Sequence, residues 1–289
     1  MSSRTVVALL AAILVLAGCG GPDPQALLDG ASEALEAAGT SRFEMSVEAA
    51  GDPAGRFAAE GSQDLETGAL RMAIDLGDAS AATETLLLGD EVFVRSPLFA
   101  LFTGDESIWV RVDLTATAEE EGLDAEALLG GQTGPAALLS QLDGASGDLE
   151  ELGSEEVRGV DTTHLRVTID TAAAIEQADP QIREQLRTYA EATGLPDAYP
   201  MELWIDDDGL VRRIRTLLDL PDAQSGDTEA GGVTQQTTLE LFDFGVRVDL
   251  DPPLPEQTVE LADLIAELEE LERLDAEIRD AEGGSADDG

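Results

Sequence analysis

Between Phe43 and about Asp249 segment after segment alternates apolar and polar residues with a period of two, the pattern of strands in a half-buried β-sheet, with helical stretches between some of them. Phe43, Met45 and Val47 alternate with polar neighbours, Phe57 leads a second segment toward Leu65, and Leu70, Met72, Ile74 and Leu76 make a third. Residues 82–88, with Leu86 and Leu88 on one side, and residues 91–95 flank Gly89-Asp90, a tight-turn dipeptide. Ile108, Val110 and Val112 alternate with Trp109 and Arg111. Residues 148–157 and 160–170 resume the pattern, with Leu165, Val167 and Ile169 on one face and His164, Arg166 and Thr168 on the other. Residues 200–206, carrying Leu203 and Ile205, and 209–219 bracket Asp206-Asp207-Asp208-Gly209, and 233–249 reads as a last strand bulged at Gly245. About ten or eleven strands with mostly short connections predict an antiparallel sheet. A single sheet of that width curls on itself.

Helical spacing appears at the start, middle and end. Leu27, Leu28, Ala31, Ala34, Leu35 and Ala38 mark a helix over 25–38 that Gly39 stops. Two short helices are predicted over 118–129 and 135–142, and another over 180–193, while 221–232 reads as a loop. Pro252-Pro253-Leu254-Pro255 ends the sheet, so one domain is expected over 25–256. A leucine stripe then predicts an amphipathic acidic helix over 257–281, and the small, acidic residues 282–289 predict a disordered tail. That helix can dock on its own sheet, cover a cavity mouth, or pair with a partner protein.

The N-terminus carries its own signal. Arg4 precedes an apolar run from Val6 to Leu16, too short to span a bilayer as a mature helix, and Leu16-Ala17-Gly18 leads into the only cysteine, Cys19. This arrangement resembles the lipobox of bacterial lipoproteins. The resemblance implies a signal peptide over 1–18, a diacylglyceryl group on Cys19, a tether over 19–24, and attachment to the extracytoplasmic face of the cell membrane. Gly20 to Pro24, fully extended, reaches about 17 Å, which keeps the domain beside the bilayer.

Charge excludes several classes of partner. There are 61 acidic residues against 16 basic ones, all arginine, for a net charge of −45. Such a chain lacks the basic face that nucleic acid requires, so no nucleic-acid partner is expected. It is also repelled by anionic lipid, which leaves a covalent lipid as the workable anchor. The acidity itself fits either adaptation to high salt or a strongly solvated surface. A lipidated sole cysteine leaves no disulfide and no dithiol chemistry. One histidine and no free thiol make no zinc site. Asp206-Asp207-Asp208-Gly209 has hairpin-turn chemistry and lacks the spread of oxygen ligands of a calcium loop. His164 alone would have to serve a catalytic triad, yet it faces away from the apolar stripe and reads as structural. No catalytic residue, cofactor or metal ion is expected, and the chain is not read as an enzyme.

Four stretches resemble the mycobacterial LppX and LprG type of lipoprotein, related in fold to the LolA and LolB carriers. They are Ser107 to Asp113 (SIWVRVD), Val157 to His164 (VRGVDTTH), Pro200 to Asp206 with Gly209 (PMELWID), and Phe242 to Gly245 (FDFG). The resemblance runs from about residue 24 to about 261 and identifies a scaffold, not a chemistry. It implies an α+β fold, a strongly curved antiparallel half-barrel whose helices cover the concave face. It further implies a lipid-anchored carrier or chaperone holding acylated lipid or lipoglycan and helping move it outward. The candidate cavity residues are then the inward stripe: Phe43, Met45 and Val47; Leu70, Met72 and Ile74; Leu86 and Leu88; Ile108, Val110 and Val112; Leu165, Val167 and Ile169; Leu203 and Ile205. Such a stripe either packs a dry core against the helices or leaves a gap for acyl chains. A closed core would suit an envelope interaction lipoprotein instead.

Overall fold

The computed structural model describes residues 23–50, 55–75, 83–116, 149–177, 183–220 and 233–267, together with 270 and 273. The first element is helix α1 (Pro24–Ala38), followed by β1 (Thr40–Ala50), β2 (Gly55–Asp64), β3 (Leu70–Asp75), β4 (Thr83–Leu88) and β5 (Glu91–Arg95). Helix α2 (Pro97–Thr103) leads to β6 (Trp109–Asp113). The second half holds β7 (Glu150–Val157), β8 (Val160–Asp170), helices α3 (Thr171–Gln177) and α4 (Arg183–Thr193), β9 (Ala198–Asp206), β10 (Val211–Leu220), β11 (Val233–Phe242) and β12 (Thr258–Glu260). All twelve strands form one open sheet in the order β12-β6-β5-β4-β3-β2-β1-β11-β10-β9-β8-β7. This is an α+β curved half-barrel, antiparallel throughout except where β12 lies parallel to β6.

The turns follow from local chemistry. Gly89 takes φ 63° between β4 and β5, and Gly209 takes φ 82° between β9 and β10. In the latter turn the buried Asp206 carboxylate accepts from the amides of Asp208 and Leu210 and from the Arg212 guanidinium. That carboxylate is committed to its own hairpin. Between β7 and β8, Arg158 stands at φ 50°, an αL position that glycine or asparagine usually fills. What holds it is a clamp: its guanidinium pairs with Glu240 on β11 and Glu44 on β1 and lies 4.0 Å from the Phe242 ring centre. In a flat sheet β8 and β1 are about 19 Å apart, so the hairpin leans across one face.

Several expectations are corrected. Among the described residues the sheet has twelve strands, not ten or eleven. The last long strand ends at Phe242, where Asp243 takes φ 51° and Gly245 donates to the Thr40 carbonyl, so 243–249 leaves the ladder. The helix expected from 257 is delayed: Pro255–Gln257 forms a 3₁₀ turn, Thr258–Glu260 joins the sheet, and helix begins at 261. The open edge of β6 explains the difference, because it pairs Val259 with Val110 while Arg111 Nε holds both Glu260 oxygens at 2.9 and 3.0 Å. Residues 243–257 form a strap from the end of β11 back to the opposite side of the sheet. Along the way Arg71 donates to the Asp251 carbonyl and Leu250 packs beside Leu86, Phe93 and Trp109. Helices α2 and α3 were not anticipated. The helices expected over 118–129 and 135–142, the loop over 221–232 and the tail over 282–289 lie outside the described residues. Among the described residues no helix is long and apolar enough to cross a membrane.

Candidate functional site

The site is built from the face of the sheet that α1 covers, here the inner face. Asp23 caps α1 by accepting from the Gln25 amide at 3.0 Å, Pro24 occupies the first turn, and Gly39 ends the helix at φ 73°. Leu27, Ala31 and Leu35, four residues apart, are its buried stripe. Register carries one face across the strands: Phe43 and Met45 oppose Leu241 and Leu239, Leu239 opposes Ile214, Ile214 opposes Leu203, and Leu203 opposes Leu165. Under α1 these residues, with Val167, Ile169 and Ile205, make one buried apolar core.

Coverage changes across β1. On the other side the inner face continues through Phe57 and Ala59, Met72 and Ile74, Thr85 and Leu87, Val92 and Val94, and Val110 and Val112. Here Val47, Phe57, Met72, Ile74, Leu87, Val92, Val94 and Val112 are only half-buried, as is Ile108 just before β6. Of the expected cavity residues, then, Phe43, Met45, Leu70, Val110, Leu165, Val167, Ile169, Leu203 and Ile205 are buried, and the half-buried group is Val47, Met72, Ile74, Ile108 and Val112. Leu86 and Leu88 are a correction. Leu86 opposes Arg71 and Phe93, so both leucines stand on the outer face, where Leu86 is buried against Phe93 and Trp109. The inner position in β4 belongs to Leu87. Three consecutive leucines conceal the parity, and a slip of one residue exchanges the faces. Sequence reasoning also missed Val92 and Val94, whose alternation in β5 becomes an inner-face signal only once the register with Val112 and Val110 is known. Cys19 lies outside the described residues.

From β1 through β8 the outer face is charged. One row runs Glu44, Glu240, Arg213, Trp204 and His164 across five strands. His164 stacks on Trp204 with ring centres 4.0 Å apart, and the guanidinium groups of Arg213 and Arg215 lie 5.1 and 4.9 Å from the Trp204 ring. Trp204 is thereby fully enclosed, and its indole N–H donates to Glu155 at 2.8 Å. Glu202 gathers Arg166 and Arg215 in the next row. His164 stands on the outer face, opposite the apolar stripe of its strand. Among the described residues no cluster of three or more His, Cys, Asp or Glu is arranged to hold a metal ion.

These contacts shift acidity. The Trp204 hydrogen bond, aided by Arg213, lowers the Glu155 pKa against the opposing cost of burial. Burial pushes Glu240 up, but hydrogen bonds from Arg158 and Arg213 outweigh it and the net shift is down. A carboxylate lowered in the folded state stabilises fully above its ordinary pKa, near 4.5, and loses that contribution as pH falls through the lowered value. Glu240→Gln is therefore expected to cost about 1 kcal/mol at pH 7, after allowance for solvent screening. The gap to wild type should close toward pH 2, as read by urea unfolding at both pH values.

No protein-family model matches the chain. Over 124 residues it is 27% identical to an uncharacterized 31.2 kDa protein of Streptomyces griseus from the rplA-rplJ intergenic region, a match spanning 42% of this chain and 37% of that protein. The match thus spans little more than a third of the curated relative's length. Among solved structures, lipoprotein LppX of Mycobacterium tuberculosis is 16% identical and aligns with 79% of this chain and all of its own, at a TM-score of 0.44. LprF of Mycobacterium bovis is 17% identical, covering 81% of this chain and 98% of its own at 0.46. A LolA superfamily protein of Nitrosomonas europaea is 12% identical, covering 80% and 94% at 0.28. These three solved structures are two mycobacterial lipoproteins and a LolA superfamily protein.

Proposed function

We propose that the protein is a lipid-anchored carrier on the extracytoplasmic face of the cell membrane, which shelters the chains of an acylated lipid or lipoglycan against the inner face of its sheet. The observation that carries the reading is the unequal cover of that face: sealed under α1, but half-buried at Val47, Met72, Ile74, Leu87, Val92, Val94 and Val112 beyond it. A surface of branched apolar side chains needs no polar contact to hold an alkyl chain, since each buried methylene contributes about 0.8 kcal/mol. Cys19 supplies the anchor in this reading, and no residue acts as a catalyst.

Lipid extracted from protein purified out of its native envelope, identified by mass spectrometry, tests the proposal. Wild type should carry about one acylated lipid, and Ile74→Asp or Val112→Asp should lower the occupancy several-fold. Both positions are half-buried, so each charge is expected to cost only about 1–2 kcal/mol of stability. Lipid-free wild type, or unchanged occupancy in both variants, overturns the reading. A second reading, a closed-core envelope interaction module, is favoured by the dense packing of Phe43, Leu165, Ile169, Leu203 and Ile205, each with no exposed surface. In that case truncation after Glu260, which keeps β12 and removes the helix that follows it, should abolish partner pull-down from a lipid-free protein.

A further inference from the structure

We infer that α2 is a membrane-seating element: a short apolar helix that enters the boundary between headgroups and acyl chains and sets the rim of the sheet against the bilayer. In a chain where 27% of residues are charged, Ser96 to Gly104 contains no ionisable group. The helix is sharply delimited. Ser96 Oγ accepts from the Leu98 amide, Pro97 opens the first turn, and Gly104 at φ 73° closes the last. Leu98, Leu101 and Phe102, spaced three and four apart, share one face and point outward, at 61%, 78% and 49% exposure. Helix α2 buries no side chain fully against the protein.

It stands at one end of the sheet, between β5 and β6. Register places α2 at the same end of the sheet as Ala50, Asp75 and Leu220, directly beyond Val94 and beside Val110. A net charge of −45 makes electrostatic adsorption of the domain unfavourable, so an uncharged apolar stripe is the kind of surface that can touch lipid here. The inference rests on the lipid anchor of the proposed function for proximity. Cys19 to Asp23 spans at most about 14 Å, so a patch of three large apolar side chains needs little affinity of its own to stay seated.

The test uses the full mature chain, acylated at Cys19 and reconstituted in phosphatidylcholine vesicles. With Cys19 blocked by its lipid, Leu101→Cys offers one thiol for an environment-sensitive NBD probe, and Glu60→Cys, exposed on the outer face, gives the control. NBD at 101 should rise about threefold in emission on vesicles, as expected for burial at the acyl boundary, and be quenched by chain-brominated phosphatidylcholine, while NBD at 60 is unaffected. Leu98→Ser combined with Phe102→Ser should abolish the response at 101; both side chains are exposed, so folding is preserved. Indistinguishable signals at 101 and 60 overturn the inference. A signal at 101 that appears without lipid and disappears on dilution, marking a second copy as the occupant, overturns it as well. Intact mass reports acylation of Cys19 and solvent extraction reports cargo, so failure of the anchor or of carriage is read separately from failure of α2 to seat.

Discussion

Gly61→Val is expected to destabilise the protein by about 3 kcal/mol or more, the largest effect foreseen for any strand glycine. Gly61 faces inward in β2, opposite Phe43 on one side and Met72 on the other. A Cβ there would sit 2.2 Å from the Arg71 carbonyl oxygen and 2.7 Å from Phe43 Cζ. The ring has no exposed surface, and the carbonyl belongs to the neighbouring strand. Both contacts must yield together, so β2 and β3 separate at that point or Phe43 leaves its rotamer. Gly61→Ala should show most of the loss. Adding Phe43→Leu, which clears the ring but not the carbonyl, should restore only part of it. Urea unfolding of the three variants measures the effect, and a stability within about 0.5 kcal/mol of wild type for Gly61→Ala would refute this account of the close approach.

Trp204→Ala should cost about 4 kcal/mol, the range for deleting a large buried aromatic side chain. The loss has a second part. Without the indole, Glu155 loses its N–H donor, His164 loses its stacking partner, and Arg213 and Arg215 face a void. The Glu155 pKa should move up toward its ordinary value, because that hydrogen bond is the main cause of its depression. Trp204→Phe keeps a ring for the stack but not the donor, and should cost about 1–2 kcal/mol. Chemical denaturation supplies the energies and carboxylate NMR titration the acidity. An unchanged Glu155 in Trp204→Ala would show that its environment is set elsewhere.

How much could be read beforehand depended on the range of the interaction. Phe43, Met45 and Val47, or Leu165, Val167 and Ile169, alternate cleanly within one strand, and their face follows from local pattern alone. Leu86-Leu87-Leu88 does not alternate, so its faces appear only when β3 and β5 set the register. Helix α2 is seven residues long, barely two turns, too few for a 3.6-residue period to emerge. Thr258–Glu260 is shorter still, and the leucine stripe that follows it pulls any local reading toward helix. The candidate site divided the same way. The apolar stripe was legible, whereas its partial cover depends on where α1 stops relative to β1, a distance in space that no local pattern contains. The His164 and Trp204 stack likewise joins residues forty positions apart through the pairing of β8 with β9.

The strap that returns β12 to β6 has a consequence for biosynthesis. Glu260 meets Arg111 across 149 positions of sequence, so a chain made from its amino end holds β6 for that whole stretch before its flank is sealed. During that interval the row of unmatched amides and carbonyls on β6 is open to a neighbouring nascent copy. A product interrupted before Thr258 keeps that vulnerability permanently. Premature termination near the carboxyl end should therefore yield aggregates rather than a slightly shorter functional protein.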